Sequence, residues 1–406
     1  GGASPQSPSK KTPSSNTPTL ISKSNSKTNL PRFAMFGCWN KYNCDLNATG
    51  VRSGMTSVFQ ELKSNDKRVN YKFFIIAGDN YYPIKDKEQD KKFFDKNDFK
   101  SGMKCAIQLK QPRKPVYMLL GNHDLDKVKN LYDSNETDVN LSETESLCYN
   151  TKQQMDYLKK IFNQDKFRLY KNKTTGKVIN YDPKYGAEFG KNTLVLFLNT
   201  SYYTQDANKI DGCVQLYDES SGTLKDMQTK DENELSRIVK LYKNQGITNI
   251  ILVGHHPIIS VRFKDKKDSD NDVRTPLEPA GIAFIKNLYS QFPSSEKYYL
   301  CADVHQFQIA DLQINQVDGL VHQYVVGTGG TDLDDKSCHE VFSTQEQFTI
   351  NKDVLGGEHT VTFMPIQCDN NHYGYLECIE EADTKLNLIF KRSCTRDECR
   401  LKKKSK

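Results

Sequence analysis

The chain has 406 residues, of which 36% are hydrophobic and 27% are charged. This composition is sufficient to bury a core and excludes wholesale disorder, and at roughly 150 residues per domain the length fits two or three domains or one large α/β domain. No stretch approaches the roughly 18 apolar residues that a membrane span needs, so no membrane span is predicted.

The net charge of +6 is concentrated in the two tails. Residues 1–31 contain four Lys and no acidic residue, and residues 391–406 contain eight basic and two acidic residues, which leaves −4 for residues 32–390. We predict a disordered arm rich in Ser, Pro and Lys over 1–31 and a basic tail over 393–406. The tails either contact an acidic partner, such as nucleic acid or acidic lipid, or stay solvated. The acidic body is not expected to bind nucleic acid.

Between the tails, segments with strand and helix patterns alternate. Short apolar runs that end at a small residue predict strands, and apolar residues at helical spacing predict helices. This alternation indicates an α/β fold. In chain order the predicted elements are strand 33–36, a helix with Val51, Met55, Val58, Phe59 and Leu62, strands 71–77 and 116–120, a helix with Met155, Leu158, Ile161 and Phe162, strand 192–198, a helix that begins at a Thr229–Glu232 capping box and ends at Gly246, strand 250–253, a helix with Phe284, Ile285, Leu288 and Phe292, and strand 298–300.

The polar segment 331–372 interrupts this alternation, and we expect an inserted loop or small lid there. Residues 373–392 return to a strand pattern and are expected to complete the sheet. The folded domain is therefore predicted to span 32–392.

The cysteines and the glycosylation sequons favour an extracytoplasmic protein, or a virion-associated one if the source is viral. Eleven Cys leave at least one thiol unpaired, and Cys394, Cys399, Cys338, Cys368 and Cys378 are candidates for disulfides. The chain begins with Gly rather than Met, so we expect a processed form. The N-x-S/T sequons, which predict a glycoprotein, are at Asn47, Asn135, Asn140, Asn172 and Asn199.

Four predicted strands end at a small residue that precedes side chains able to bind metals. The four segments are GDNYY at 78–82, GNHD at 121–124, GHHP at 254–257 and ADVHQF at 302–307. Ligands gather at the carboxyl ends of strands in open α/β sheets, so these side chains are expected to converge. Asp, Asn, His and Tyr suit hard-to-borderline metal ions, and Gly lets the backbone approach an ion closely. Four such motifs in order predict a metal site.

Over residues 32–392 this pattern resembles the purple acid phosphatase group of the calcineurin-type metallophosphoesterases. That group carries GD, GDxxY, GNH(D/E), a strand ending in His, and GHxH in this order. Tyr82 is the most specific mark, because most metallophosphoesterases have Asp at the third place after the residue equivalent to Asp79. The run VVGTGG at 325–330 resembles the late strand and turn of the group. The resemblance implies an α/β sandwich of two mixed β-sheets flanked by helices (αββα).

The resemblance also implies a binuclear metal centre. Asp79 would bridge the two metals. Tyr82 and His305 would bind the first, usually ferric iron. Asn122 and His255 would bind the second, typically iron, zinc or manganese.

Two further histidines are implied to act on the substrate. His123 would contact the phosphate or act as a general acid, and His256 is a further candidate for a phosphate contact. The implied activity is hydrolysis of a phosphomonoester, in a small substrate or a phosphoprotein, by a metal-bound hydroxide. A phosphodiesterase or nuclease is disfavoured by Tyr82 and by the acidic body.

Two positions depart from the family pattern. Cys38 stands where the group has its first Asp, and Asp303 stands where it has the first His of GHxH. A thiolate binds iron or zinc and an Asp can replace a His, so both residues remain candidate ligands of an altered but working site. Alternatively, the site has lost one or both metals, and the protein is a catalytically impaired binding or surface protein. In that case Cys38 is an ordinary buried thiol or forms a disulfide with Cys44, and Asp303 caps a turn.

Overall fold

The computed structural model describes residues 30–399, except for 43, 86–91, 110–113, 134–135, 163–185, 218–220, 263–271, 335–337, 345 and 355–356. The predicted disordered arm, apart from its last two residues, lies outside the described residues, and so does the end of the basic tail from 400 onwards. No described helix combines the length and the apolar character that crossing a membrane requires.

Strands and helices alternate through most of the chain. The strands are β1 (Arg32–Phe36), β2 (Phe73–Ile76), β3 (Ile84–Lys85), β4 (Lys92–Asp95), β5 (Val116–Met118), β6 (Asn130–Asp133), β7 (Glu136–Asn140), β8 (Gly186–Phe189), β9 (Thr193–Phe197), β10 (Asn249–Val253), β11 (Ser260–Arg262), β12 (Asp272–Arg274), β13 (Glu296–Cys301), β14 (Phe307–Ile314), β15 (Val321–Val326), β16 (Phe348–Val354), β17 (Gly357–Asp369), β18 (His372–Glu380) and β19 (Leu386–Thr395). The helices are α1 (Gly54–Val69), α2 (Lys96–Leu109), α3 (Glu143–Phe162), α4 (Ala207–Asp211), α5 (Val214–Tyr217), α6 (Leu224–Tyr242), α7 (Pro279–Ser290) and α8 (His339–Thr344), with 3₁₀ turns at His123–Leu125 and Thr200–Tyr203.

Two large mixed sheets form a sandwich flanked by helices, which confirms the predicted fold class. The first has the strand order β19–β18–β1–β2–β5, and the second has the order β16–β17–β14–β15–β13–β10–β9–β8. Within them, β1, β2 and β5 run parallel, as do β9, β10, β13 and β15. The structure also contains a two-stranded ribbon of β11 and β12, and a small sheet of β3, β4, β6 and β7.

The core has one layer between the sheets and another beneath the helices. Buried side chains from both sheets, among them Ile75 and Ile251, share one apolar cluster. A second cluster joins the opposite face of the larger sheet to α6 and α7, where Leu235 and Ile285 are buried. Because the central strands are covered on both faces, they read as continuous apolar runs in the sequence.

Two sequence expectations were wrong. Helix α6 begins earlier than predicted: Thr223 is its N-cap and forms a capping box with Asp226, so Thr229 and Glu232 lie inside the helix. Residues 331–372 do not form an inserted loop, because β16 and β17 extend the larger sheet there. In β17, buried Val361 and Phe363 alternate with more exposed residues. Because one face of the strand is polar, its sequence lacks the continuous apolar run that predicted the central strands.

The C-terminal strands complete the first sheet, as predicted for 373–392. The predicted basic tail from 393 overlaps the end of β19, which extends to Thr395.

Four disulfides cross-link the chain. Two of them, Cys338–Cys368 and Cys394–Cys399, join cysteines predicted to be candidates, whereas the third candidate of the late cluster, Cys378, is a buried free thiol. The other two disulfides are Cys44–Cys105 and Cys148–Cys213.

Candidate metal centre

The predicted site residues follow the carboxyl ends of strands from both sheets. Cys38 follows β1 and Asp79 follows β2, and Asp303 comes two residues after β13. These turns interlock through the backbone, since the N–H of Cys38 donates to the carbonyl of Gly78 at 3.1 Å. The N–H of Ala302 donates to the carbonyl of His255 at 2.9 Å. The strand ends therefore bring residues that are distant in sequence to one edge of the sandwich.

Three of these residues have a left-handed backbone conformation. Their φ angles are 55° at Cys38, 56° at Asp79 and 63° at Asp303. This region costs a non-glycine residue roughly 1–2 kcal/mol. Strain of this kind persists where the surrounding structure imposes it, and it clusters at functional sites.

Two glycines that precede site residues, Gly78 and Gly121, allow the side chains of Asp79 and His255 to lie close to the backbone. A Cβ on Gly121 would lie 2.2 Å from Asp79 Oδ1 and 2.7 Å from His255 Cε1. Gly78 has a φ of +91°, and a Cβ there would lie 2.4 Å from His255 Nδ1. Glycine is therefore required at both positions if the carboxylate and the imidazole are to stay where they are.

Asp79 lies at the centre of the cluster and is fully buried. Its Oδ2 accepts a hydrogen bond from the Tyr82 hydroxyl at 2.8 Å, and its Oδ1 accepts one from the backbone N–H of His123 at 3.1 Å. The Tyr82 oxygen is also 3.4 Å from His305 Nε2. Burial opposes ionisation of Asp79, but the neighbouring His255 and His123 lower its pKa to about 2, so the side chain is a carboxylate.

The ring of His255 faces several acceptor atoms. Its Nδ1 is 2.6 Å from the carbonyl oxygen of Ala77, which can only accept, so Nδ1 carries a proton and Nε2 is the ring nitrogen that faces the cluster. This Nε2 lies 3.0 Å from Asn122 Oδ1, 3.4 Å from Asp79 Oδ1 and 3.8 Å from Asp303 Oδ1. Three oxygen atoms crowded around one ring nitrogen need a cation among them, either a proton on Nε2 or a metal ion, and the imidazole, amide and carboxylate donors suit a metal ion.

His256 has the opposite tautomer. The Thr200 hydroxyl accepts the backbone N–H groups of His255 and His256, both at 3.2 Å, and so donates its own proton to His256 Nδ1 at 2.9 Å. Nε2 of His256 therefore carries the proton. It is buried without a hydrogen-bond partner among the described residues, 3.8 Å from Asp206 Oδ2. A buried, unpaired donor suits an anion better than a metal ion.

Cys38 lies inside the cluster as a free thiol. Its Sγ and one ligand atom each of Asp79 and His305 lie within 4.8 Å of one another. Burial and the charges of Asp79 and Asp303 raise the pKa of the thiol well above its usual value, so it ionises only beside a cation. The alternative disulfide with Cys44 is wrong, because Cys44 pairs with Cys105.

Asp303 lies beside His255, with its Oδ1 3.8 Å from His255 Nε2. Its carboxylate forms a second group with His255 and His256, in which one ligand atom of each residue lies within 4.8 Å of the others. Its other neighbour is Arg274, whose Nη1 is 3.7 Å from Asp303 Oδ2. Every residue predicted as a metal ligand is thus part of one continuous cluster.

A family model of the calcineurin-like phosphoesterases matches residues 31–307, which is more than half of the chain. The chain belongs to the calcineurin-like phosphoesterase family. Members of this family are metal-dependent hydrolases of phosphoesters that generally use a binuclear metal centre. A comparison with curated proteins finds no matching relative.

His123 is oriented by a carboxylate that the sequence analysis did not identify. His123 Nδ1 is 2.9 Å from Asp126 Oδ2, and its ring centroid is 4.6 Å from that of Tyr82. Asp126 is anchored in turn by Lys92 Nζ at 2.6 Å. Burial lowers the pKa of His123, but the charge of Asp79 and the hydrogen bond to Asp126 outweigh it, and the pKa is raised. The imidazolium form is therefore stabilised.

A second missed carboxylate ties two of the motif loops together. Asp124 is fully buried and accepts the backbone N–H groups of Asn80 at 2.8 Å, Gly121 at 2.8 Å and Tyr81 at 3.1 Å. The loop after β2 and the loop after β5 are thereby held in fixed register. The GNHD motif contains Asp124, but only the contacts in space reveal this role.

Proposed function

We propose that this protein is a binuclear metal-dependent phosphomonoesterase, similar to the purple acid phosphatases. The observation that carries the proposal is the crowding of oxygen atoms from Asn122, Asp79 and Asp303 around Nε2 of His255. Cys38, Asp79 and His305 form a second group, in which one ligand atom of each lies within 4.8 Å of the others. Asp79 contributes to both groups, so it is the carboxylate that would hold both ions.

We assign the two groups to two metals. Cys38, Asp79, Tyr82 and His305 would hold the first, and Asp79, Asn122, His255 and Asp303 would hold the second. When bound, such a pair of ions neutralises phosphate charge and activates water for attack on phosphorus. The Tyr82 hydroxyl, which donates to Asp79, must lose its proton to become a ligand. This favours a strongly acidic ion such as Fe(III), with iron, zinc or manganese beside it.

The protein's own donors and acids complete the chemistry. His256 Nε2–H is buried without a hydrogen bond to a described residue, with Asp206 Oδ2 at 3.8 Å, and it would bind an oxygen of the phosphate. His123, protonated and held by Asp126, would give its proton to the oxygen of the departing alcohol. Its side chain is 33% exposed, so a leaving group can reach it.

Two features favour a second candidate, a phosphatase-like binding protein without turnover. The pKa of the Cys38 thiol is raised, so without a cation the thiol stays neutral, and Asp303 is paired with Arg274 rather than standing alone. Either feature would serve a site with one metal or none. Such a protein would use its surface to bind a partner molecule and would not turn over a substrate.

Metal analysis together with hydrolysis separates the candidates. The enzyme is expected to purify with about two metal ions per chain and to hydrolyse 4-nitrophenyl phosphate in preference to bis(4-nitrophenyl) phosphate. A chelator should abolish this activity, and the matching metal should restore it. A violet or pink colour would report a Tyr82 phenolate on Fe(III). Protein with one ion or none, and with no turnover after metal addition, would support the binding protein instead.

We further propose an extracytoplasmic location. Disulfides persist in oxidising compartments, and four are present in the described chain. Among the sequons, Asn47 and Asn140 are exposed and open to glycosylation. Treatment of the native glycoprotein with an N-glycosidase should lower its apparent mass, and an unchanged mass would contradict this assignment. The basic tails remain candidates for contact with an acidic partner.

A further inference from the structure

The ribbon of β11 and β12 brings a guanidinium group to the metal cluster. Arg274, the last residue of β12, lies opposite Ser260 in the ribbon. Its Nη1 is 3.7 Å from Asp303 Oδ2, and the other oxygen of that carboxylate is 3.8 Å from His255 Nε2. Arg274 is therefore next to the group of side chains assigned to the second metal.

The donors of this guanidinium are not used by the other described residues. Within the part of the chain that the structure describes, the side chain of Arg274 makes no hydrogen bond, and its only ion pair is the 3.7 Å contact with Asp303. Its side chain is 35% exposed. Arg262, on the same ribbon, is a useful contrast, because its Nε and Nη2 both lie close to Asp334 Oδ1, at 3.2 and 3.0 Å. Arg262 is thus committed to a structural ion pair, whereas the N–H groups of Arg274 remain available beside the cluster.

Charge explains why a cation is needed at this position. Asp303 stands where the resembling phosphatases have a neutral His, so this chain has an extra negative charge next to the place where a phosphate would bind. At partly buried positions such a charge repels an anionic substrate strongly. Arg274 compensates for that charge, and its planar fork of donors matches the terminal oxygens of a phosphate.

We propose that Arg274 is a substrate-binding residue that donates to the terminal oxygens of the phosphate, and that Asp303 orients it. The inference rests on the proposed function and names a residue that would select its substrate class. A phosphomonoester dianion has one more terminal oxygen and one more negative charge than a phosphodiester, so a guanidinium beside the cluster favours the monoester. In this proposal the positive charge of Arg274 offsets the negative charge of Asp303, so that the altered site can still bind phosphate.

Binding of inorganic phosphate to the metal-loaded protein tests this without requiring turnover. In isothermal titration calorimetry, Arg274→Gln should weaken phosphate binding by about 10- to 100-fold, the usual effect of losing hydrogen bonds to a charged group. Its metal content should equal that of the wild type. Arg274→Lys keeps the charge but not the fork, so its loss should be intermediate. Arg237→Gln, which removes an equally charged but 54% exposed side chain from α6, is the matched control and should bind like the wild type.

The outcomes separate this inference from the proposed function. If the wild type hydrolyses aryl phosphates while Arg274→Gln binds phosphate within about twofold of it, the inference is overturned and the phosphomonoesterase stands. An Arg274→Lys protein that binds like the wild type overturns the role of the fork. If the wild type binds phosphate and the Gln variant does not, but neither shows turnover, the phosphate subsite stands and the enzymatic function fails.

Discussion

The contact between Asp126 and His123 offers the most specific kinetic test of the proton-transfer role. In Asp126→Asn, the amide oxygen can still accept from His123 Nδ1, so the ring keeps its orientation and loses only the neighbouring charge. Lys92 Nζ, now 2.6 Å from Asp126 Oδ2, would then face the ring without a counter-charge. Both changes disfavour the imidazolium and lower the pKa of His123.

The magnitude follows from the geometry. A hydrogen bond between charged groups contributes roughly 1.5–3 kcal/mol, and one pKa unit corresponds to about 1.4 kcal/mol. We therefore expect the pKa of His123 to fall in the variant. Because the proposed mechanism uses the protonated ring, the alkaline limb of the kcat profile should move to lower pH.

The assay compares substrates that differ in their need for a proton. An alkyl phosphate has a poor leaving group, and its kcat should fall by about 10- to 100-fold at neutral pH. Departure of 4-nitrophenolate needs little protonation, so its kcat should change by less than about threefold. Asp156→Asn, which neutralises a 62% exposed carboxylate on α3, is the matched control. Equal losses for both substrates, or an unmoved alkaline limb, would refute the acid role of His123.

Three further substitutions test the site and the scaffold. In Gly121→Ala the new Cβ meets Asp79 Oδ1, so metal content by plasma mass spectrometry should drop well below that of the wild type; unchanged content would contradict the close approach. Cys38→Ala should remove about one metal ion per chain while Cys38→Asp retains it, and full metal content in the Ala variant would show that the thiol is not a ligand. Gly190→Ala forces a side chain at φ +64° against the buried Glu380 carboxylate, which should reduce the free energy of unfolding by about 1–3 kcal/mol in urea titrations; a loss below that range would mean that the loop adapts.

The sequence could predict the metal-binding half of the site, because its residues follow buried strands. Asp79 and His255 come directly after an apolar run and a glycine, and that local pattern suffices to place them at strand ends. The topology of parallel strands then brings those ends together. Neither step needs knowledge of side-chain packing.

The supporting residues could not be predicted, because they act through contacts between separate elements. Asp126 lies in an unremarkable loop, and its role depends on how His123 turns. Arg274 lies on a short ribbon strand, and nothing in its neighbourhood along the chain connects it with Asp303. The tautomers of His255 and His256 likewise depend on a carbonyl and a hydroxyl contributed by other loops.

The start of α6 and the strands β16 and β17 were predicted wrongly, because the local sequence also fits another structure. Thr229 and Glu232 have capping-box spacing, but the Thr223–Asp226 pair, six residues earlier in the chain, forms the actual cap. Strands β16 and β17 have one polar face at the border of the sheet, which makes their segment look like a loop. In both cases tertiary packing decided between two sequence patterns of similar strength.

Metal content of the purified protein and of its Asp79→Asn variant tests the central claim most directly. If Asp79 bridges two ions, plasma mass spectrometry should find about two equivalents in the wild type and a large loss in the variant, even though Asn is nearly the same size. Wild-type protein that contains no metal, and takes up none from solutions of iron, zinc or manganese, would contradict the account.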